Sequence, residues 1–219
     1  MLFKNRREAG KLLAKKLSSA RYEGRESVVI GLLRGGIPVA YEIASALGAP
    51  LDVALVRKIG APNQEELAIG AMVDGPNPKV YLNESLISHI YIPDGYLKKI
   101  ERIKLKEIRE REKIYRHEGK KIEVFGKTVI VADDGIATGA SVRVVIESLK
   151  EEKPARIIIA VPVIAADTLK ELKKTVDDVI VLSSPEEFYA VGAFYEDFRQ
   201  TTDEEVIELL KKSRSAAHM

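Results

Sequence analysis

The sequence predicts an α/β protein with a doubly wound, mostly parallel sheet. Short apolar runs rich in Val and Ile alternate along the chain with segments whose apolar residues recur at helical spacing. The runs are apolar at nearly every position, as in strands that are covered on both faces. The expected strands are residues 27–33, 51–56, 129–132, 156–163 and 178–182, and the expected helices are 3–17, 37–47, 141–150, 167–174 and 203–212.

The first half of the chain predicts the order helix, strand, helix, strand. Residues 3–17 place basic residues between apolar ones at helical spacing, which is typical of a surface helix with one buried face. The apolar run 27–33 is broken by glycines before the helix pattern of 37–47 begins, and the run 51–56 follows. A strand, a crossover helix and a second strand at this spacing predict a right-handed parallel unit.

After residue 128 the alternation resumes, and three apolar runs separated by two helix patterns add three parallel strands. The helix pattern of 203–212 is expected to serve packing alone, through Val206, Ile207, Leu209 and Leu210.

Between these halves lies a segment of different composition. Residues 60–78 are dense in Gly, Pro and Asn, which favours a mobile loop or a loose hairpin through 68–80. Residues 93–118 predict a long charged helix whose glutamates, interspersed among Lys and Arg, favour a solvated face over a nucleic-acid surface. Its narrow apolar stripe is Leu97, Ile100, Ile103 and Ile108. We therefore expect one domain with a core of 1–58 and 119–184, a mobile loop and helical insertion at 59–118, and a C-terminal hood at 185–212.

Composition excludes several classes of function. The 219 residues are 46% hydrophobic and 31% charged, as in a soluble globular protein with a sizeable core. A net charge of +2 argues against nucleic acid or an anionic membrane as a general partner. The chain has no cysteine, and its three histidines lack metal-site spacing. No apolar run is long enough to span a membrane or to form a signal peptide, so a cytoplasmic location is expected.

Two of the predicted strand ends carry cations or glycines suited to an anionic ligand. In open parallel sheets, ligands bind where the carboxyl ends of the strands meet. The strand 27–33 ends at Arg34, Gly35 and Gly36, where glycines let backbone N–H groups approach an anion and arginine can bind it bidentately. The strand 51–56 is followed by two adjacent cations, Arg57 and Lys58.

The third strand end combines acids with a phosphate-binding turn. Asp133 and Asp134 follow the strand 129–132, and the Gly/Thr/Ser turn 137–141 leads into a helix and offers N–H and hydroxyl donors to a phosphate. Carboxylates accept hydrogen bonds from vicinal hydroxyls, and they can hold a divalent cation shared with a polyphosphate. A sugar that carries one phosphate and one diphosphate would satisfy all three strand ends.

Each of these features alone has an ordinary structural explanation. Paired aspartates form turns or cap helices, glycine after a strand is common turn chemistry, and adjacent cations often end a strand in solvent. The combination of an apolar strand, two acids and a Gly/Thr/Ser turn is more specific, and it is not the Walker motif because GxxxxGK[ST] is missing.

The segment VIVADDGIATGAS, residues 129–141, resembles the signature of type I phosphoribosyltransferases, which use 5-phosphoribosyl 1-diphosphate (PRPP). LLRGG, residues 32–36, resembles their diphosphate loop, and VRK, residues 56–58, resembles the Arg-Lys pair of the adenine and orotate enzymes. The run RKIGAPNQEELAIGA, residues 57–71, is similar to that of a widespread bacterial and archaeal group of predicted phosphoribosyltransferases without a generally assigned substrate. The resemblance extends over most of the chain.

The resemblance implies a role for each strand end. Asp133 and Asp134 would hold the ribose hydroxyls, with Mg²⁺ nearby as the cofactor. Arg57 and Lys58 would neutralise the leaving diphosphate, and residues 60–75 would close over the site and exclude water. The PRPP-binding residues would be Arg34, Gly35, Gly36, Asp133, Asp134, Gly135, Ala137, Thr138, Gly139, Ala140 and Ser141. The diphosphate loop of the family often contains a cis non-proline peptide, for which Leu33–Arg34 is the candidate.

The implied reaction is the displacement of diphosphate at the anomeric carbon by a ring nitrogen of a nucleobase, as in nucleotide salvage. Two departures from the hypoxanthine-guanine enzymes bear on the acceptor. Ala137 stands where those enzymes have an aspartate that could act as a general base, and Val161-Pro162-Val163 stands where they have a lysine that reads a 6-oxo group. A purine is still the favoured acceptor, and a homodimer is expected.

The hood resembles the base-binding tail of the purine enzymes. Phe194 and Tyr195 are the candidates for stacking on a base, and packing within the hood is an equally weighted alternative for these aromatics. An alternative for the whole chain is a PRPP-sensing regulator without catalysis, in which the basic helix 93–118 would leave RNA binding open.

Overall fold

The fold is built on two sheets, and the computed structural model describes it for residues 1–19, 26–75, 78–116 and 121–217. The helices are α1 (Arg6–Ser19), α2 (Gly36–Leu47), α3 (Glu84–Ile87), α4 (Tyr96–Arg116), α5 (Ala140–Glu151), α6 (Ala166–Leu172) and α7 (Asp203–Ala217). The strands are β1 (Ser27–Leu32), β2 (Leu51–Ala54), β3 (Val56–Ala61), β4 (Gln64–Val73), β5 (Lys79–Leu82), β6 (Thr128–Ala132), β7 (Arg156–Val163) and β8 (Asp178–Ser183). A short 3-10 helix covers Val191–Phe194.

The main sheet is parallel and has the strand order β2-β1-β6-β7-β8. Its strands are apolar because both faces are covered. One core contains residues of α1, α2 and α7, and the other contains residues of α5 and α6. Val29, Ile130 and Ile158 are aligned across neighbouring strands and are fully buried. The predicted fold class is confirmed, and β1 and β6 are neighbours, which brings their carboxyl ends together.

The residues that were predicted to form a mobile loop lie in a second sheet, with antiparallel order β3-β4-β5. The hairpin expected through 68–80 corresponds to β4 and β5. The glycines there permit close strand contact rather than irregular structure: a Cβ at Gly60 would lie 2.5 Å from the carbonyl oxygen of Glu65. Asn63, at φ 60°, forms the tight turn between β3 and β4. Movement of this sheet stays a prediction.

The long helix α4 confirms the helix predicted over 93–118 as far as Arg116, and residues 117–118 lie outside the described residues. Leu97 and Ile100 pack on the second sheet and Ile108 is buried. Ile103 is exposed, so its assignment to the apolar stripe was wrong. At 3.6 residues per turn it lies about 120° around the helix from Leu97.

A buried ion network at the end of α4 joins the two sheets. Arg116 Nε lies 2.9 Å from Asp52 Oδ1 on β2, and Arg116 Nη2 lies 2.7 Å from Asp74 Oδ2, just after β4. All three side chains are 4% exposed or less. The two carboxylates raise the pKa of Arg116 in spite of its burial. The network was not predicted, and it fixes this end of the second sheet to the main sheet.

Within the described residues, no helix is both long and apolar enough to cross a membrane.

Candidate active site

The predicted diphosphate loop, residues 32–36, is in direct contact with the acid pair, Asp133 and Asp134. The peptide Leu33–Arg34 is cis, as the resemblance implied. A Cβ at Gly35 would overlap Asp134 Oδ2, and a Cβ at Gly36 would lie 2.9 Å from the Cα of Asp133. Any larger residue would separate the two loops. The glycines therefore allow the loop after β1 to lie against the acids after β6.

The acid pair is enclosed, and its surroundings favour the protonated forms. Asp133 Oδ1 accepts a hydrogen bond from the backbone N–H of Asp134 at 2.8 Å. Burial raises the pKa of Asp133 well above its usual range, and the neighbouring Asp134 charge raises it further. Burial also raises the pKa of Asp134, while Arg6 lowers it. A cation or hydroxyl donors placed at this pair would favour the ionised carboxylates.

Arg6, on the first turn of α1, contacts the acid pair and was not among the site residues predicted from the sequence. Its Nε lies 2.7 Å from Asp134 Oδ2, and the two side chains are only 11% and 14% exposed. Arg6 Nη1 also donates to the carbonyl of Arg199 at 2.8 Å, and the guanidinium lies 3.8 Å from the ring centroid of Phe198. Arg6 therefore joins α1, the acid pair and the hood.

The phosphate turn, residues 137–141, is attached to α6 through one hydrogen bond and exposes several of its residues to solvent. Thr168 Oγ1 donates to the carbonyl of Ala137 at 2.6 Å. Gly139, at φ 74°, precedes the first residue of α5 in the left-handed region that favours glycine. Thr138 and Ala140 are exposed and Ser141 is half-buried. The predicted donors thus surround the N-terminus of a 12-residue helix, where a phosphate is favoured.

The two predicted catalytic cations lie on opposite sides of β3, because successive side chains of a strand point to opposite faces. Lys58 lines a cleft of about 690 Å³ that also contains Thr138 and Ser141 of the phosphate turn. Arg57 faces α4, where its Nε lies 3.3 Å from Glu107 Oε2. The structure therefore does not bring Arg57 and Lys58 to one place, although the resemblance implied that both neutralise the leaving group.

Arg34 is held by the last helix of the fold. Its Nη1 lies 3.3 Å from Asp203 Oδ1, and Arg111 Nη1 of α4 lies 3.0 Å from Asp203 Oδ2. Tyr115 also donates its hydroxyl to Asp203 Oδ1 at 2.6 Å. The hydrogen bond from Tyr115 and the charges of the two arginines lower the pKa of Asp203. α7 was predicted to serve packing alone, so this contact was missed.

The hood packs on the residues that follow the acid pair, and its two candidate base-stacking aromatics, Phe194 and Tyr195, lie in different surroundings. A Cβ at Gly135 would lie 2.5 Å from Val191 Cγ1, so the hood packs directly on the chain after the acids. Tyr195 is buried between Phe3 and Phe198, and its hydroxyl donates to the carbonyl of Asp134 at 2.5 Å. Tyr195 therefore fits the packing alternative rather than base stacking. Phe194 is half-buried and stays a candidate.

The loop, the acid pair and the phosphate turn all lie within a segment that matches a known family. A family model described as "Phosphoribosyl transferase domain" matches residues 2–199. The chain belongs to this family.

Two curated relatives from Mycobacterium tuberculosis, strains CDC 1551 and H37Rv, are provisionally named phosphoribosyl transferases. Each is 37% identical over 212 residues, which is 97% of this chain but 47% of the relative. The phosphoribosyl transferase domain described here thus spans about half the length of these proteins. The crystal structure of TT1426 from Thermus thermophilus is 40% identical, covers 97% of this chain and 99% of that chain, and superposes with a TM-score of 0.82.

Within the described residues of this phosphoribosyl transferase domain, no group of three or more His, Asp or Glu side chains is arranged to hold a metal ion by itself. A divalent cation here would depend on the acid pair together with oxygen atoms of a ligand. Mg²⁺ is commonly bound in this way, by one or two carboxylates and substrate phosphates. The donor set of Asp133 and Asp134 therefore fits Mg²⁺.

Proposed function

We propose that this domain transfers the 5-phosphoribosyl group from PRPP to a nitrogen acceptor and releases diphosphate. The observation that carries the proposal is the direct contact of the loop after β1 with the acid pair, through Gly35 and Gly36. This contact puts anion-binding N–H groups next to carboxylates that can accept hydroxyl hydrogen bonds. The acid pair follows β6, and α5 is the next helix after it, so the N-terminus of α5 would supply a phosphate site nearby.

Each part of PRPP has a proposed binding site. The ribose hydroxyls would bind chiefly to Asp133, because Asp134 Oδ2 is already paired with Arg6. The 5-phosphate would lie on the turn that begins at Ala137, and the diphosphate would lie on the loop of Arg34 and its two glycines. Asp133 and Asp134 would also hold Mg²⁺, which when bound would neutralise charge on the diphosphate.

Charge stabilisation, rather than a covalent nucleophile, would accelerate the displacement. Arg34 lies at the proposed diphosphate position, whereas Lys58 lies beside the phosphate turn and would keep the sugar phosphate in place. The proposed acceptor is a nucleobase, with a purine favoured, and Phe194 is the proposed ring contact. Ala137 carries no proton acceptor, so the proposed acceptor must not require a carboxylate at that position.

The test is diphosphate release from PRPP and Mg²⁺ with a panel of purine and pyrimidine bases. We expect release that depends on one base, and at least a hundredfold loss in Asp133→Asn, since an interaction of about 3 kcal/mol corresponds to that factor. Asp167→Asn is the matched control because Asp167 is an exposed acid in the first turn of α6. Tight PRPP binding without base-dependent release would overturn the proposal in favour of a PRPP sensor.

The biological setting is part of the same proposal. We propose that the domain acts in nucleotide salvage in the cytoplasm, as a homodimer. Sedimentation analysis at micromolar concentration tests the dimer, and a monomer would contradict it.

A further inference from the structure

The carboxylate of Asp203 lies in a site made of cation and hydroxyl donors. Arg34, Arg111 and Tyr115 all direct a donor at it, from the loop after β1 and from two successive turns of α4. Guanidinium groups that converge on one small oxyanion are also the arrangement that binds phosphates. Arg34 is the proposed diphosphate residue, so the Asp203 carboxylate occupies space beside the diphosphate position.

The partial exposure of this cluster lowers the cost of separating its ion pairs. The side chains of Arg34, Asp203 and Arg111 are 35%, 32% and 37% exposed. Ion pairs with this much solvent contact contribute about 0–1 kcal/mol. The network around Arg116 is different, because its enclosed members would leave an unpaired buried charge if they separated. Tyr115 is buried and donates its hydroxyl to Asp203, so a multivalent anion could displace Asp203 at small cost only by accepting that hydrogen bond as well.

Asp203 is not needed to begin α7. The backbone N–H of Glu205 donates to Thr202 Oγ1 at 3.2 Å, and the N–H of Val206 donates to the Thr202 carbonyl at 3.1 Å. Thr202 is therefore the capping residue. Asp203 is in the first turn, where an anion is favoured but where a bound phosphate would be favoured as well.

We propose that Arg111 is a second arginine of the diphosphate site, and that Asp203 occupies the anion position until diphosphate displaces it. The inference rests on the proposed function for the identity of the anion. The diphosphate would thus be bound between the loop after β1 and one face of α4.

The test is the affinity of the chain for inorganic diphosphate in the presence of Mg²⁺, measured by calorimetry. We expect Arg111→Met to weaken binding by about tenfold to a hundredfold, as for other lost contacts between a charged donor and an anion. Arg111→Lys should recover part of this loss because it keeps the charge. Arg109→Met, an exposed arginine on the same helix, is the control and should bind within about twofold of wild type.

Asp203→Asn distinguishes a displaced anion from a residue that positions Arg34. Removal of the competing carboxylate should tighten diphosphate binding by up to about fivefold, which corresponds to a surface ion pair. Weaker binding by about tenfold would overturn the displacement. The double variant Arg111→Met with Asp203→Asn should stay weak if Arg111 contacts diphosphate. Recovery to wild-type affinity would mean that Arg111 acts only by holding Asp203 away, and the inference would fail.

These outcomes are separable from the proposed function. If Arg111→Met binds diphosphate like wild type while PRPP is still consumed with a base, the inference is wrong and the function stands. If diphosphate binding depends on Arg111 while no base supports turnover, the inference stands and the transfer reaction is wrong. Thermal unfolding of each variant without ligand shows whether it is folded.

Discussion

Arg6→Met tests whether the acid pair depends on a cation from the first helix. In the wild type, Arg6 Nε lies 2.7 Å from Asp134 Oδ2, and the side chains of Arg6 and Asp134 are 11% and 14% exposed. Methionine keeps most of the volume of the arginine stem and removes the charge. Asp134 would then be left enclosed, next to Asp133 and without its cation.

The expected loss of stability is about 3 kcal/mol. Breaking a fully buried ion pair from one side costs about 3–5 kcal/mol, and the remaining exposure of this pair lowers that figure. The contact of the guanidinium with the Phe198 ring, at 3.8 Å from the centroid, adds about 0.5–1 kcal/mol. For a domain of this size, about 2–4 °C of melting temperature corresponds to 1 kcal/mol, so Tm should fall by about 6–12 °C.

The loss should depend on pH in a defined direction. Burial raises the folded-state pKa of Asp134 and Arg6 lowers it, so removal of Arg6 raises it further. A carboxyl whose folded-state pKa is raised contributes stability below its unfolded pKa and loses it as the pH rises through the folded value. The deficit of Arg6→Met should therefore be largest near neutral pH and should shrink as the pH falls toward the ordinary aspartate range.

The assay is urea unfolding at several pH values without divalent cations. Arg6→Met with Asp134→Asn should recover most of the loss, because the charge that Arg6 paired with is removed together with Arg6. Lys15→Met, an exposed cation on the same helix, should stay within about 0.5 kcal/mol of wild type. Stability of Arg6→Met within that margin of wild type, or a deficit that is constant with pH, would refute the reasoning.

Three further predictions concern Arg116, Thr168 and Gly139, the last two with a matched control. Arg116→Met should lower the free energy of unfolding in urea by about 3–5 kcal/mol because it strands two buried carboxylates, and a loss below about 1 kcal/mol would contradict this. Thr168→Val removes the bond to the phosphate turn and should weaken PRPP binding about fivefold in calorimetry, while Thr175→Val, which loses a similar bond to Leu172 at 2.9 Å, should not. Gly139→Ala and Gly48→Ala, at φ 74° and 63°, should each cost about 1–2 kcal/mol, but only the former should weaken PRPP binding.

The sequence predicted the parts of the fold that depend on local patterns. Uniform apolar runs identified all five parallel strands, with the second extended two residues beyond its end at Ala54. The position of the site followed because ligands bind at the carboxyl ends of parallel strands, and the glycines and acids come directly after those ends. The contact of Gly35 with Asp134 results from the adjacency of β1 and β6.

Contacts between distant parts of the chain could not be predicted in this way. Arg6 and Asp134 are 128 residues apart, and Arg34 and Asp203 are 169 apart, so no local pattern connects them. Basic residues on a surface helix usually point to solvent, and Arg6 is an exception because the hood closes over it. The second sheet was predicted only in part, as a hairpin through 68–80 that corresponds to β4 and β5. Glycine marks both loops and close strand contacts, and composition does not separate the two.

The ion cluster of Arg116 at the end of α4 constrains where the second sheet could move. Arg116, at the end of the helix, is enclosed with Asp52 and Asp74, so the junction of β4 with the main sheet is fixed. At the other end of this sheet, the Tyr96 hydroxyl donates to the carbonyl of Gly60 at 2.8 Å, so β3 is attached to α4 as well. If the residues 60–75 close over a ligand as predicted, we expect the Asp74 end to stay in place and the turn between β3 and β4 to move most. That movement requires the contacts of β3 with α4 to separate or α4 to move with the sheet. Such a pivot would change the distance between Lys58 and the phosphate turn, while Arg116 and its two carboxylates remained in place.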